Sequence, residues 1–285
     1  MKGLFLIILL TTFSITSFSA LVDKDVYIVR DSLELVSGEK APYITFNSST
    51  LFSETNIRID INIGDDLNLW VFNTDSLTHE FQIKGITPVM TIPALDSVNL
   101  NQTFSTPGAY IFYDPLNFPN NSYLGLSGMI TVKDHNHSSF YWNIKDHKNS
   151  WNTDVVNNTI VDWNNYYPNY FTINGKSNPD INLDSDARIT GSVGDTLMIY
   201  ISNTGQSIHS MHFHGYHVEV IFSSRNPNHV GRMKDSQGIY PCESVVLRLV
   251  PDKPGEYPVH DHNLVATTGG NSYPLGMFTT ILILP

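Results

Sequence analysis

Gly64-Asp65-Asp66-Leu67-Asn68-Leu69-Trp70-Val71-Phe72-Asn73-Thr74-Asp75 returns in the second half of the chain as Gly194-Asp195-Thr196-Leu197-Met198-Ile199-Tyr200-Ile201-Ser202-Asn203-Thr204-Gly205. Each copy opens on a Gly-Asp turn, runs through an apolar β-favouring stretch and closes on Asn-Thr, the signature of a strand between turns. The match continues in register, with His79 on His209 and Gly85 on Gly215. Ser97-Val98 falls on Ser244-Val245, and Thr106-Pro107-Gly108-Ala109-Tyr110 on Lys253-Pro254-Gly255-Glu256-Tyr257. The second copy carries extra residues, which the alignment puts within 222–243, a Ser-, Asn-, Pro- and Gly-rich stretch that reads as a surface loop. Two copies of one unit imply a duplicated domain. The expectation is an all-β chain of two tandem Greek-key β-sandwiches, one over residues 21–133 and one over 134–285. No long amphipathic helix is expected.

The chain has 285 residues, 41% of them hydrophobic and 15% charged, enough to bury the cores of two domains. The net charge of −11 comes without any basic block, which argues against a nucleic-acid partner. Cys242 is the only cysteine, so packing and not an internal disulfide must hold the domains together. Residues 1–20 begin Met1-Lys2-Gly3-Leu4, continue as an apolar run and end Ser17-Phe18-Ser19-Ala20. That reads as a secretory signal peptide, and hence as export to a periplasm or the cell exterior. No later stretch reaches the length of a membrane span.

The chemistry concentrates in His209-Ser210-Met211-His212-Phe213-His214-Gly215 and in His260-Asp261-His262, followed by Leu275-Gly276-Met277. Side chains alternate across a strand, so His212 and His214 share one face, as do His260 and His262. If the two strands are neighbours, four imidazoles converge while Asp261 points into its own domain. Neutral imidazoles suit copper, with zinc as the natural competitor. The plain alternative is a polar strand surface with incidental histidines.

These residues carry a resemblance to the multicopper oxidases. His209-x-x-His212-x-His214-Gly215 resembles the family's His-Pro-x-His-x-His-Gly motif, and Phe171-Thr172-Ile173-Asn174-Gly175 a common opening of its domains. Gly255 to His262, with Gly276-Met277, resembles the closing His-Cys-His…Gly-Met/Leu motif. The resemblance implies cupredoxin-like domains, copper as cofactor, a homotrimer and redox chemistry on a small-molecule substrate. It also shows where this chain departs from the pattern. In a blue copper site His209 would be the first ligand and Met277 the axial one, but Asp261 stands in the cysteine position and Ala266 where the second histidine is expected. Thioether and carboxylate are an awkward pair of ligands for one metal, so a buried His209–Asp261 hydrogen bond is the alternative. The trinuclear cluster needs two more His-x-His pairs from the first domain, where the alignment gives Gln82 and Lys84, then Tyr113 and Pro115. His79 and Asp114 repeat the His209 and Asp261 positions there.

His135-Asn136-His137 reads as a solvated linker that could swing over to complete the four-histidine face, as could His147. His217 falls on the opposite face by alternation, and His229 lies in the long loop without a motif partner. Lys84 and Gln82 read as surface or interface residues, and the aromatic run Trp163 to Phe171 as strand and turn packing. Three classes of function follow: a copper oxidoreductase working directly at the His-x-His site, a non-catalytic metal-binding or copper-handling protein, and a structural or partner-binding module.

Overall fold

A computed structural model of the protein describes residues 19–285. The signal-peptide reading, apart from Ser19 and Ala20, lies outside the described residues. The first half forms β1 (Leu21–Glu34), β2 (Lys40–Asn47), β3 (Arg58–Asn62), β4 (Asp66–Asn73), β5 (His79–Ile83), β6 (Met90–Ile92), β7 (Ser97–Thr103), β8 (Gly108–Tyr113), the short helix α1 (Asn120–Leu124) and β9 (Ser127–Lys133). The second forms β10 (Ser138–His147), α2 (Asn149–Val156), β11 (Tyr170–Ile173), β12 (Thr190–Ser192), β13 (Leu197–Asn203), β14 (His209–Phe213), β15 (Val218–Ser223), β16 (Met233–Lys234), β17 (Ser236–Ile239), β18 (Ser244–Leu249), β19 (Gly255–Asp261) and β20 (Phe278–Leu284).

Each half is a two-sheet sandwich of the same plan. The orders β2-β1-β4-β7 and β3-β9-β8-β5-β6 in the first recur as β11-β10-β13-β18 and β12-β20-β19-β14-β17 in the second. The parallel pairing of β1 with β4 recurs as that of β10 with β13, and that of β3 with β9 as β12 with β20. Gly64 and Gly194 turn the chain into β4 and β13 at φ +85° and +87°, a conformation in which a side chain is strained. Apolar residues from both sheets fill each sandwich, with Phe46, Phe81 and Phe112 in the first and Trp142, Phe171 and Phe213 in the second.

The extra residues of the second copy differ from the loop expected over 222–243. That stretch holds β16, which pairs with β15 at the β18 edge, and β17, the counterpart of β6, which pairs with β14 beside the histidines. Backbone donors and acceptors at a sheet edge favour pairing over solvent, and this overrides a turn-rich composition.

The domains meet along a packed seam. Ala109 and Met129 of the first touch Tyr141, Met198, Tyr200 and Val246 of the second. Gly108 makes room for Phe222, whose ring would lie 2.7 Å from a Cβ there. Arg58 pairs with Asp186 at 2.6 Å, and Ser244 Oγ donates to the Ala109 carbonyl at 2.6 Å. Helix α2 reaches back over the first domain: Val155 enters that core, with Trp151, Trp163 and Tyr166 packed against it. His147, at the end of β10, is therefore fully buried between the rings of Tyr43 and Tyr123, and cannot swing to the histidine face. Among the described residues no helix is long and apolar enough to cross a membrane.

Candidate metal centre

β14 and β19 are neighbours, with Met211 opposite Asp261, His212 opposite His260, and Phe213 opposite Val259. Burial alternates along both strands. His209, Met211, Phe213, Val259 and Asp261 face the core, while His212 and His260 are half-buried on the outer face. His214 and His262 follow on that outer side. The ring of His212 lies 4.7 Å from His214, 5.8 Å from His260 and 5.4 Å from His262, centre to centre. His214 Nε2 and His260 Nε2 are 3.0 Å apart.

The surroundings orient the donors. His260 Nδ1 lies 2.8 Å from the Asp261 carbonyl, so it carries the proton and leaves Nε2 as a lone pair. His212 Nδ1 lies 3.1 Å from the Asp235 carbonyl and 2.7 Å from Ser236 Oγ, which frees its Nε2 in the same way. A ring N–H held by a carbonyl is the arrangement that orients metal-binding histidines. The His260 ring also stacks on Phe278, at 6.0 Å and 8°. Burial and the three neighbouring imidazoles lower the pKa of His214, which favours its neutral form. In chemistry the four rings fit copper, and His212 and His260 also do so in tautomer. In position they are loosely gathered: among the described residues no three His, Cys, Asp or Glu side chains already stand at coordinating spacing.

Behind this face His209 and Asp261 belong to an ion network. His209 Nδ1 lies 2.6 Å from Asp261 Oδ2, and Nε2 lies 3.0 Å from Asp146 Oδ2. Both ring nitrogens are thus engaged, leaving no lone pair for a metal. Burial alone would lower the His209 pKa, but the two carboxylates outweigh it and push it up to about 9. Burial alone would raise the pKa of Asp146. Bonds from His209, Tyr166 (2.6 Å) and the Gln206 N–H (3.0 Å) hold it well below the usual carboxylate range. Asp261 Oδ1 accepts the N–H groups of Ser210 and Asn263, at 3.1 and 2.9 Å, which ties β14 to the turn after β19. Met277 is buried, and its backbone bonds Ala266 and Asp261.

The first domain repeats the network without the histidine face. His79 lies 2.8 Å from Asp114 and 3.1 Å from Asp75, and Asp114 Oδ1 accepts the N–H groups of Glu80 and Leu116. Desolvation opposes protonation of His79, but the two carboxylates raise its pKa. The second carboxylate comes from a different place in each copy. Ile28 pairs with Asn73 and Ile144 with Asn203, so Arg30 and Asp146 are equivalent. In the first domain Arg30 supports Asp75 from that strand, at 2.5 Å. In the second, Asp146 replaces the arginine and Gly205 replaces Asp75. A Cβ at Gly205 would lie 2.8 Å from Asp146 Oδ2, so the two solutions exclude each other. Sequence reasoning missed Asp146. The signal was the pairing of Asp75 with Gly205 in the repeat alignment, which leaves one copy short of a carboxylate.

The positions lost from the first domain have other work. Gln82 lies opposite Tyr113, whose hydroxyl donates to it at 3.0 Å. Lys84 reaches the second domain and donates to the Cys242 carbonyl at 2.6 Å. Burial raises the Cys242 thiol pKa, and Cys242 sits in the turn between β17 and β18, whereas Asp261 ends β19. His217 is exposed, and His229 lies in a single 3-10 turn. His135 and His137 lie against Tyr200 and Met198 of β13, on the other sheet of the second sandwich from β14 and β19. They do not complete the four-histidine face.

Residues 146–273 match the family model described as multicopper oxidase. No curated protein sequence matches the chain. Among solved structures, a blue copper oxidase from Nitrosomonas europaea aligns with a TM-score of 0.79 at 22% identity, covering 92% of this chain and 86% of that one. The multicopper oxidase mgLAC aligns at 0.78 and 21%, covering 93% and 88%. A copper nitrite reductase from Nitrosomonas europaea aligns at 0.71 and 17%, covering 93% and 94%. At these identities the structural likeness is one of fold, and the sequence likeness is confined to the segment that spans His209 to His262. Residues 146–273 are thus similar to a multicopper oxidase domain, on a cupredoxin-like two-domain fold that both halves share.

Proposed function

We propose that the protein is an exported copper protein in which His212, His214, His260 and His262 hold the metal, and that its redox chemistry runs directly at that face without a thiolate relay. The observation that carries this reading is the outward cluster of four imidazoles, two of them with Nε2 atoms 3.0 Å apart. The family match favours copper over zinc. Copper bound there supplies one-electron redox chemistry. The chain's part is orientation: the Asp235 and Asp261 carbonyls hold the Nδ1 protons of His212 and His260. Export rests on the apolar run of residues 1–20. Replacing both His212 and His260 by alanine removes copper loaded as the cupric ion, as metal content after aerobic dialysis measures. Cupric ion retained in that variant overturns the assignment.

The exposed side of His262 and the missing cysteine favour a second reading, a copper-handling protein without turnover. Oxidation of phenols or cuprous ion, or reduction of nitrite, by the copper-loaded protein supports the oxidoreductase. Copper binding without any of these supports the carrier.

A further inference from the structure

The third His-x-His stands apart from the centre above. His135 and His137 stack at 5.1 Å and 27° on the rim of a recess of about 260 Å³, whose walls include Asp134, Met198, Ile221 and Arg248. Their donors are arranged as follows. The His137 backbone N–H is donated to His135 Nδ1 at 3.2 Å, so the ring proton sits on Nε2 and is donated to Tyr200 Oη at 3.0 Å. Tyr200 is itself fixed by stacking on Tyr141 at 5.6 Å. A ring N–H anchored in this way leaves the other nitrogen as a lone pair, with one long backbone contact to give up. His137 is exposed. Met198 is buried at the same recess and brings a thioether.

Two imidazoles and a thioether form a soft, uncharged donor set. Hard dications need several oxygen ligands, and the recess offers one exposed carboxylate, Asp134. Arg248 is neutralised by its pairing with Glu219. We infer that His135, His137 and Met198 form a second metal site at the domain seam, selective for a soft monovalent ion such as cuprous copper. It lies across the second sandwich from the four-histidine face and does not depend on it.

The test is made on the full chain with His212 and His260 both replaced by alanine, which isolates the seam. Cuprous ion is titrated anaerobically against a chromophoric chelator. This protein is expected to bind one equivalent. His137→Ala, a change at an exposed side chain that leaves folding untouched, weakens that equivalent by about tenfold or more. Met198→Leu removes the sulfur neighbour from the copper X-ray absorption spectrum. No cuprous ion bound by the His212/His260 variant, or binding unchanged by His137→Ala, overturns the inference. Metal content of the His135/His137 variant reads the four-histidine face separately, so the two assignments fail independently.

Discussion

Replacing Asp146 by alanine lowers the unfolding free energy at pH 7 by about 3–5 kcal/mol, the cost of breaking a buried ion pair by removing one partner. Asp146 is 0% and His209 1% exposed, so water cannot take the place of the lost carboxylate. The change also strands the Tyr166 hydroxyl and the N–H groups of Gln206 and Ser207, all of which Asp146 accepts. Asp146→Asn keeps the shape but not the charge and costs less. Asp75→Ala is the parallel experiment in the first domain, where Arg30 and His79 lose their shared partner. Urea denaturation measures all three. A cost under about 1 kcal/mol for Asp146→Ala, the level of a surface pair, shows that the network does not hold the domain.

Acidification from pH 6.5 to 4.5 destabilises the protein by about 2 kcal/mol through His147 alone, the slope approaching about 1.4 kcal/mol per pH unit below pH 6. The ring is 0% exposed and neither nitrogen has a hydrogen-bond partner. Burial, then the neighbouring Lys145, pushes its pKa down to about 3. The unfolded chain therefore takes up a proton near pH 6.5 that the folded chain refuses until about pH 3, and stability falls as pH falls through that window. Asp146, with its lowered pKa, adds a loss only once pH drops below the unfolded carboxylate range. His209 works at the other end. Its pKa is raised to about 9, so its contribution is complete below pH 6.5 and is lost as pH rises toward 9. Lys145, pushed down to about 7 by burial, has the opposite slope above pH 7 and offsets part of that loss. Stability of His147→Phe measured against pH isolates the first effect: the slope between pH 6.5 and 4.5 flattens. An unchanged slope rules His147 out as its source.

The duplicated Gly-Asp to Asn-Thr strand was enough to read the two sandwiches, because turn glycines and alternating burial act locally and leave a local trace. The outward His212 and His260 and the inward Asp261 were legible for the same reason: a period of two needs no tertiary knowledge. What stayed hidden depends on partners far apart in sequence. Asp146 meets His209 only because β10 lies beside β13, and His147 is buried only because α2 folds back and carries Val155 into the first core. The 222–243 stretch looked like a loop by composition, yet free sheet edges drew it into β16 and β17.

The absorption spectrum of the copper-loaded protein tests most directly the claim that an Asp146–His209–Asp261 network has replaced a blue copper while the four-histidine face holds the metal. Copper bound through nitrogen ligands is expected, with no intense thiolate charge-transfer band in the red. An intense band there contradicts it, because it requires a cysteine sulfur on copper and the only cysteine is Cys242.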